Sequence, residues 1–322
     1  MNSAIFEEIY SSWKNNFDDG TGYSFFAKKF GYETSEGLRS AFRRWRKQRG
    51  LRREDNIIEN KTIASNKTNA KILCFDVETS PICALVWGIW DQNIYTDAII
   101  NDWHLLSWSA KWLFDDHVMS DVLTPEEALK HDDSRIVKKI WNLLNTCDIT
   151  ISHNGDKFDC KRLNTRFLFH GLPPVSKYKS IDTLLVAKSN FNFTSNKLDY
   201  INQYLGLPQK TETGMELWKK AYFGDAKSLK DMEEYCSNDV EILEDLYLKL
   251  RPYIHNHPNL NLWSEENVSI CPNCGSENIN WHGHYYTYTG RYKSFTCSDC
   301  GANGRARYTD LDKEKRKTVV RT

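Results

Sequence analysis

Residues 71–78 read KILCFDVE, and few architectures accept such a run. Side chains alternate across a strand, so Leu73, Phe75 and Val77 face one way while Cys74, Asp76 and Glu78 face the other. An apolar strand belongs inside a sheet, yet two carboxylates on one of its faces are costly to bury unless something cationic offsets them. Two residues apart, the acids stand roughly 6.5–7 Å from each other at Cα, near enough to reach one ion or a close pair. An edge strand with a solvated face would carry the same pattern, so this segment by itself leaves both readings open.

Two other segments place acids against the pattern. In residues 229–250, LKDMEEYCSNDVEILEDLYLKL, the side chains of Met232, Tyr235, Leu243, Leu246 and Leu250 form a helical apolar stripe. Asp239 falls on that stripe one turn after Tyr235, so the two project to the same side. A salt bridge to a neighbouring Lys or Arg would account for it equally well. In ISHNGDKFDCKRL an apolar strand ends at His153-Asn154-Gly155, and Asp159 opens a helix that continues through Leu163, Phe167 and Leu168. Asp159 could serve only as a helix-start residue favoured by the dipole, and Asp156 in the preceding loop competes with it.

The same stretch of chain alternates between strand and helix patterns. Strands are expected at 71–78, 84–90, 105–112 and 148–153, and helices at 134–146, 160–169, 181–188, 198–205 and 229–250. Three early strands followed by alternating helices and a further strand indicate an α/β sandwich with a mixed sheet. No internal repeat is visible.

Taken together and in order, these segments resemble the three motifs of the DEDD 3′–5′ exonuclease superfamily, over about residues 70–252. FDVET is similar to the first motif through Asp76 and Glu78. HNGDKFD resembles the second in the form found in family B DNA polymerase proofreading domains, where the aspartate after Phe is the ligand, which selects Asp159. YCSND matches the third motif in its Tyr-type version, through Tyr235 and Asp239. The resemblance implies a ribonuclease H-like mixed sheet flanked by helices, and two Mg²⁺ or Mn²⁺ ions held by Asp76, Glu78, Asp159 and Asp239. Carboxylates suit such hard ions better than His or Cys. Two ions roughly 3.5–4 Å apart would stabilise the attacking and leaving oxygens of an in-line displacement. Tyr235, a poor base with an ordinary pKa near 10, would aim the attacking water. Asp182 is expected to cap its helix rather than brace the site.

CPNCG at 271–275 and CSDCG at 297–301 give the spacing C-x₂-C-x₂₂-C-x₂-C. Two thiolates from each tight turn complete a tetrahedral Zn²⁺ site, and the Gly after each pair permits the turn. Cys271, Cys274, Cys297 and Cys300 would leave no open position, so one structural zinc is expected in a unit at 270–308 that resembles a zinc ribbon. His282 or His284 is the weaker alternative as a ligand. Between the pairs, Tyr285, Tyr286, Tyr288, Tyr292 and Phe295 interleave with Arg291 and Lys293, a composition suited to stacking on bases and pairing with phosphates. Packing of the ribbon's thin core would use some of the same aromatics. The other five cysteines (Cys74, Cys83, Cys147, Cys160, Cys236) are scattered, which reads as small buried residues and not a disulfide framework.

Residues 1–50 are expected to form a small helix-turn-helix-like unit that buries Leu38, Phe42 and Trp45. Its segment 37–53 carries eight positive charges and no acid, which puts Arg39, Arg43, Arg46 and Lys47 toward a nucleic-acid groove. Docking to a protein is the other use of such a face. A polar linker follows at 51–69, the nuclease unit at 70–255, and a charged tail at 309–322. The net charge of zero hides a segregation. Residues 1–55 hold 11 Lys and Arg against 8 Asp and Glu, residues 271–322 hold 9 against 5, and the stretch between holds 23 against 30. Basic ends suit a polyanion and an acidic middle suits divalent cations. No run of eighteen apolar residues exists and MNSAIFEEIY has no secretory pattern, so a membrane span is not expected and the cytoplasm is the expected compartment. The function these features imply is metal-dependent 3′–5′ exonuclease action on DNA, with RNA as the other substrate. The alternatives are a ribonuclease or structure-specific endonuclease, and a non-catalytic nucleic-acid-binding protein.

Overall fold

The computed structural model describes residues 3–14, 23–32, 38, 41–42, 45, 68–209 and 213–321. At the N-terminus, α1 (Ser3–Lys14) and α2 (Tyr23–Phe30) supply Phe6, Ile9 and Phe26 to a core shared with Leu38, Phe42 and Trp45. The three residues expected to face inward therefore do so. Arg39, Arg43, Arg46, Lys47 and the linker up to residue 67 lie outside the described residues.

The central sheet is built from β1 (Ile72–Thr79), β4 (Leu105–Trp112), β5 (Val118–Val122), β6 (Ile149–Ser152) and β7 (Lys179–Asp182), in the order β5-β4-β1-β6-β7. β1 pairs antiparallel with β4 and β4 with β5, whereas β1–β6 and β6–β7 are parallel. Parallel neighbours need a crossover. The chain supplies α3 (Pro125–Lys130) and α4 (Ser134–Leu144) before β6, and α5 (Asp159–Phe169) before β7. α6 (Thr183–Asn190), α7 (Leu198–Tyr204), α8 (Met215–Tyr222) and the long α9 (Ala226–Leu250) complete the layers.

Alternation along β1 puts its two faces into two cores. Leu73, Phe75 and Val77 pack with Leu106, Trp108, Ile136, Ile140, Leu163 and Phe167. Ile72 and Cys74 pack with Ile149, Ile151, Ile181 and the α9 residues Val240, Leu243 and Leu246. The sheet is thus covered on both sides, as a strand set this apolar requires. Across the α9 face, Lys111 and Glu244 form a buried ion pair, and Glu244 also accepts the Phe114 N–H at 2.9 Å.

Two expectations need correction. The run at 84–90 is no strand of this sheet. Only β2 (Cys83–Ala84) pairs, with β3 (Ile99–Asn101), while Trp87 and Ile89 beyond it stand in solvent. Apolar composition alone mimicked a buried strand there. The helix expected over 181–188 begins later, because Ile181 and Asp182 finish β7 beside Ile151 and Ser152.

The C-terminal unit holds a three-stranded sheet of β8 (Ile279–Tyr286), β9 (Arg291–Cys297) and β10 (Asn303–Arg305), in the order β10-β9-β8. It docks on the end of α9, where Asn273 donates its amide to the Arg251 and Ile254 carbonyls at 2.9 and 3.1 Å. The tail contains a short helix, α10 (Lys313–Thr318). Among the described residues, no helix is long and apolar enough to cross a membrane.

Candidate active site

Three of the acids singled out by the sequence meet at the end of β1. Carboxylate oxygens of Asp76, Glu78 and Asp239 lie within 4.8 Å of one another. Asp76 and Glu78 are partly buried, and Asp239 is 2% exposed. The approach of α9 to the strand is made possible by small residues. Ser109 and Ser107 stand opposite Asp76 and Glu78 in the β1–β4 register, and the Ser109 and Ser237 hydroxyls are 3.0 Å apart. Neither serine was singled out by the sequence reading. The signal for them was the LSWSAK alternation, which puts small side chains on the face that carries the acids.

Asp159 does not join that group of three. It is buried as the first residue of α5, with Oδ1 accepting the Val77 N–H at 3.1 Å. This anchors the helix start to the backbone between the two β1 acids. Asp156, the competing acid, points elsewhere and accepts the Ser180 hydroxyl at 2.6 Å. The HNG turn explains its own composition. Asn154 has φ of 70°, a left-handed conformation that Asn tolerates. A Cβ on Gly155 would stand 2.1 Å from Ser152 Oγ, so no larger residue fits. Asp182 both caps and braces. Oδ1 accepts from Leu184 N at 3.0 Å at the start of α6, and from Asn154 N at 2.8 Å in the turn.

Tyr235 lies one turn before Asp239 on α9, with its ring edge-to-face against Trp218 at 5.6 Å. An open groove of about 420 Å³ runs beside Glu78, lined also by Thr79, Pro81, Phe158, Met215 and Trp218. Cys236 is fully enclosed behind the acids, its Sγ 3.7 Å from Asp76 Oδ2. Burial pushes its thiol well up, and the Asp76 and Glu78 charges add to that, so it stays a neutral packing residue.

The chemistry of this donor set fits divalent cations, because hard carboxylate oxygens converge from a strand and a helix. The second metal-type cluster is different in kind. Sγ atoms of Cys271 and Cys300 are 3.6 Å apart and those of Cys274 and Cys297 are 3.7 Å apart, and none of the nine cysteines forms a disulfide. Zn–S bonds of about 2.3 Å make a tetrahedron whose edge is about 3.8 Å, so the four thiols fit a closed tetrahedral site. The two turns repeat one another. Gly275 and Gly301 have φ of 76° and 77° and return their N–H groups to the Cys271 and Cys297 carbonyls. His282 and His284 stay outside this cluster, facing Thr296 and Asp310 respectively. Of the expected nucleic-acid contacts on the ribbon, Arg291 is held by Asp310 at 3.0 Å, and Lys293 pairs across from His284.

Residues 115–251 match the model of a family described as the RNase_H superfamily, a span that includes Asp159, Tyr235 and Asp239 but not β1. No curated protein matches the chain. Among solved structures, the chain is similar to the family B DNA polymerase from the hyperthermophilic archaeon Pyrobaculum calidifontis. That similarity has 15% identity and a TM-score of 0.43, over 70% of this chain and 32% of the polymerase, so the chain spans about a third of that protein's length. The five-stranded mixed sheet, the helices on both of its faces and the family match over residues 115–251 make the middle of this chain a ribonuclease H-like domain.

Proposed function

We propose that the chain hydrolyses phosphodiester bonds at the 3′ ends of DNA, removing nucleotides in the 3′–5′ direction. The observation that carries this reading is the convergence of Asp76, Glu78 and Asp239 within 4.8 Å at the end of a core strand. Together with Asp159, these carboxylates would hold two Mg²⁺ or Mn²⁺ ions. Bound there, the ions supply an activated water and offset charge on the departing 3′ oxygen.

The protein's own groups then position the substrate. Tyr235 hydrogen-bonds and aims the attacking water, its ring fixed by Trp218. Phe158 and Trp218, on the walls of the groove beside Glu78, receive the terminal base, leaving its phosphate at the acids. Asp182 holds the turn before Asp159, so its role is to position that acid and not to touch substrate. Arg39, Arg43, Arg46 and Lys47 are proposed as a second hold on the nucleic acid, and the four thiols as a structural zinc site.

Single-stranded DNA and RNA labelled at the 5′ end test the reading, with a circular single strand alongside. A metal-dependent ladder shortening from the 3′ end, with the circle intact, supports it. Cutting of the circle points instead to an endonuclease, and a ladder confined to RNA points to a ribonuclease. Binding without cleavage contradicts hydrolysis altogether.

A further inference from the structure

The ribbon sheet has two chemically different faces. Residues paired across antiparallel strands share a face, so the β8–β9 register puts Trp281 with Phe295, His284 with Lys293 and Tyr286 with Arg291 on one side. Part of that side is held internally. Trp281 packs edge-on to Phe295 at 5.4 Å, and Asp310 takes both His284 and Arg291.

The opposite side pairs Asn280 with Thr296, Tyr285 with Tyr292, and Ser294 with Arg305. No acidic residue pairs onto it. Arg305 stands with its guanidinium 3.9 Å from the Tyr292 ring centroid and 5.5 Å from that of Tyr285. Among the described residues it has no carboxylate partner; its one hydrogen bond is to the Ala306 carbonyl at 3.3 Å. Tyr285 is 51% exposed, and the ribbon's buried apolar side chains are Ile270, the four cysteines, Phe295 and Ala302. Packing therefore does not account for this aromatic–arginine stack. A second such pair follows immediately, Arg307 over Tyr308 at 5.5 Å.

We infer that this face is a binding platform for single-stranded nucleic acid. Tyr285, Tyr292 and the Arg305 guanidinium offer flat surfaces on which bases stack, and Arg305 and Arg307 meet the phosphates between them. The charge of the unit matches, with 9 Lys and Arg against 5 Asp and Glu in residues 271–322. A single strand is specified because stacking needs base faces that a duplex keeps covered. This inference goes beyond hydrolysis and does not depend on it. It also moves the ribbon's contact from Arg291 and Lys293 to the other side of the sheet.

The test is fluorescence anisotropy of labelled oligo-dT, oligo-U and duplex DNA on the full chain. An Asp76→Ala background makes binding readable whether or not the parent cleaves. Tyr292→Ala and Arg305→Ala are each expected to weaken single-strand binding about fivefold or more, with zinc content unchanged. Tyr292→Phe, which keeps the ring, and Arg291→Ala, which removes a side chain already held by Asp310, are expected within about twofold of the parent. The oligo-dT and oligo-U arms show which sugar is preferred, and tighter binding of either supports the platform. Parent-like binding by both alanine variants, equal losses on duplex and single strand, or no measurable single-strand binding by the parent would each overturn it.

Discussion

Three carboxylates within 4.8 Å repel one another unless cations lie between them. Asp239→Asn is therefore expected to act oppositely on stability and on activity. Without added divalent metal, its thermal midpoint should rise by about 2–4 °C, on the scale of 1 kcal/mol, and Mg²⁺ should stabilise the parent more than the variant. Cleavage should fall about a thousandfold or more. Calorimetry with and without Mg²⁺ reads the first effect. A second residue-scale prediction concerns His257, which donates Nδ1–H to the Pro258 carbonyl at 2.7 Å and accepts the Tyr247 hydroxyl at Nε2, 2.8 Å away. Burial pushes this imidazole down from 6.5 to about 4, and does the same to His104. A base with a lowered folded pKa favours the fold only when neutral. Stability from these two residues is complete above about pH 6.5 and declines as pH falls toward 4. Urea midpoints measured across that window should drop in the parent, and His257→Gln should flatten the slope. At this scale Asp76, Glu78 and Asp239 were legible because each acid broke an apolar pattern. Ser107 and Ser109 showed only as an alternation of small residues, which gains its meaning once the strand register puts them opposite the acids.

At the scale of elements, α9 carries the most consequences. Its buried Glu244 pairs with Lys111 and accepts the Phe114 N–H. Lys111→Met removes the cation from this buried pair and is expected to cost about 3–5 kcal/mol in chemical denaturation. Adding Glu244→Gln should recover most of it, because the amide oxygen still accepts from Phe114. A double variant as unstable as the single would show that packing, not charge, sets the cost. Elements with strong periodicity were legible: β1, β4, β6, α4, α5 and α9 all formed within a few residues of expectation. β5, reading VMSDV, was missed because it is an edge strand of intermediate burial whose Asp121 pairs with Arg135. The short α3 was announced by a capping box, Thr124 with Glu127, that the hydrophobic pattern could not reveal. The converse error at 84–90 came from reading apolar residues as buried ones.

For the whole molecule, the zinc-type cluster and the ribonuclease H-like core are joined through Asn273 and the end of α9. Cys271→Ser should abolish bound zinc by elemental analysis and unfold the ribbon, while the far-UV signal of the central sheet and its helices persists. Simultaneous loss of the core would mean that the two units fold as one. Architecture was legible because its governing constraints are local: a mixed sheet follows from the strand–helix order, and the ribbon from paired thiols. The two-faced chemistry of the ribbon was not, because it depends on cross-strand register. The central claim, that the acids at the end of β1 and on α9 form a metal-dependent hydrolytic site, meets its most direct test in single-turnover cleavage of a 5′-labelled single strand across a Mg²⁺ titration. Wild type and Asp239→Asn would be measured side by side, each confirmed folded. Product that depends on metal and shortens from the 3′ end is expected in the wild type, and almost none in the variant at any Mg²⁺ concentration. Equal cleavage by both proteins, or none by the wild type in either Mg²⁺ or Mn²⁺, would contradict it.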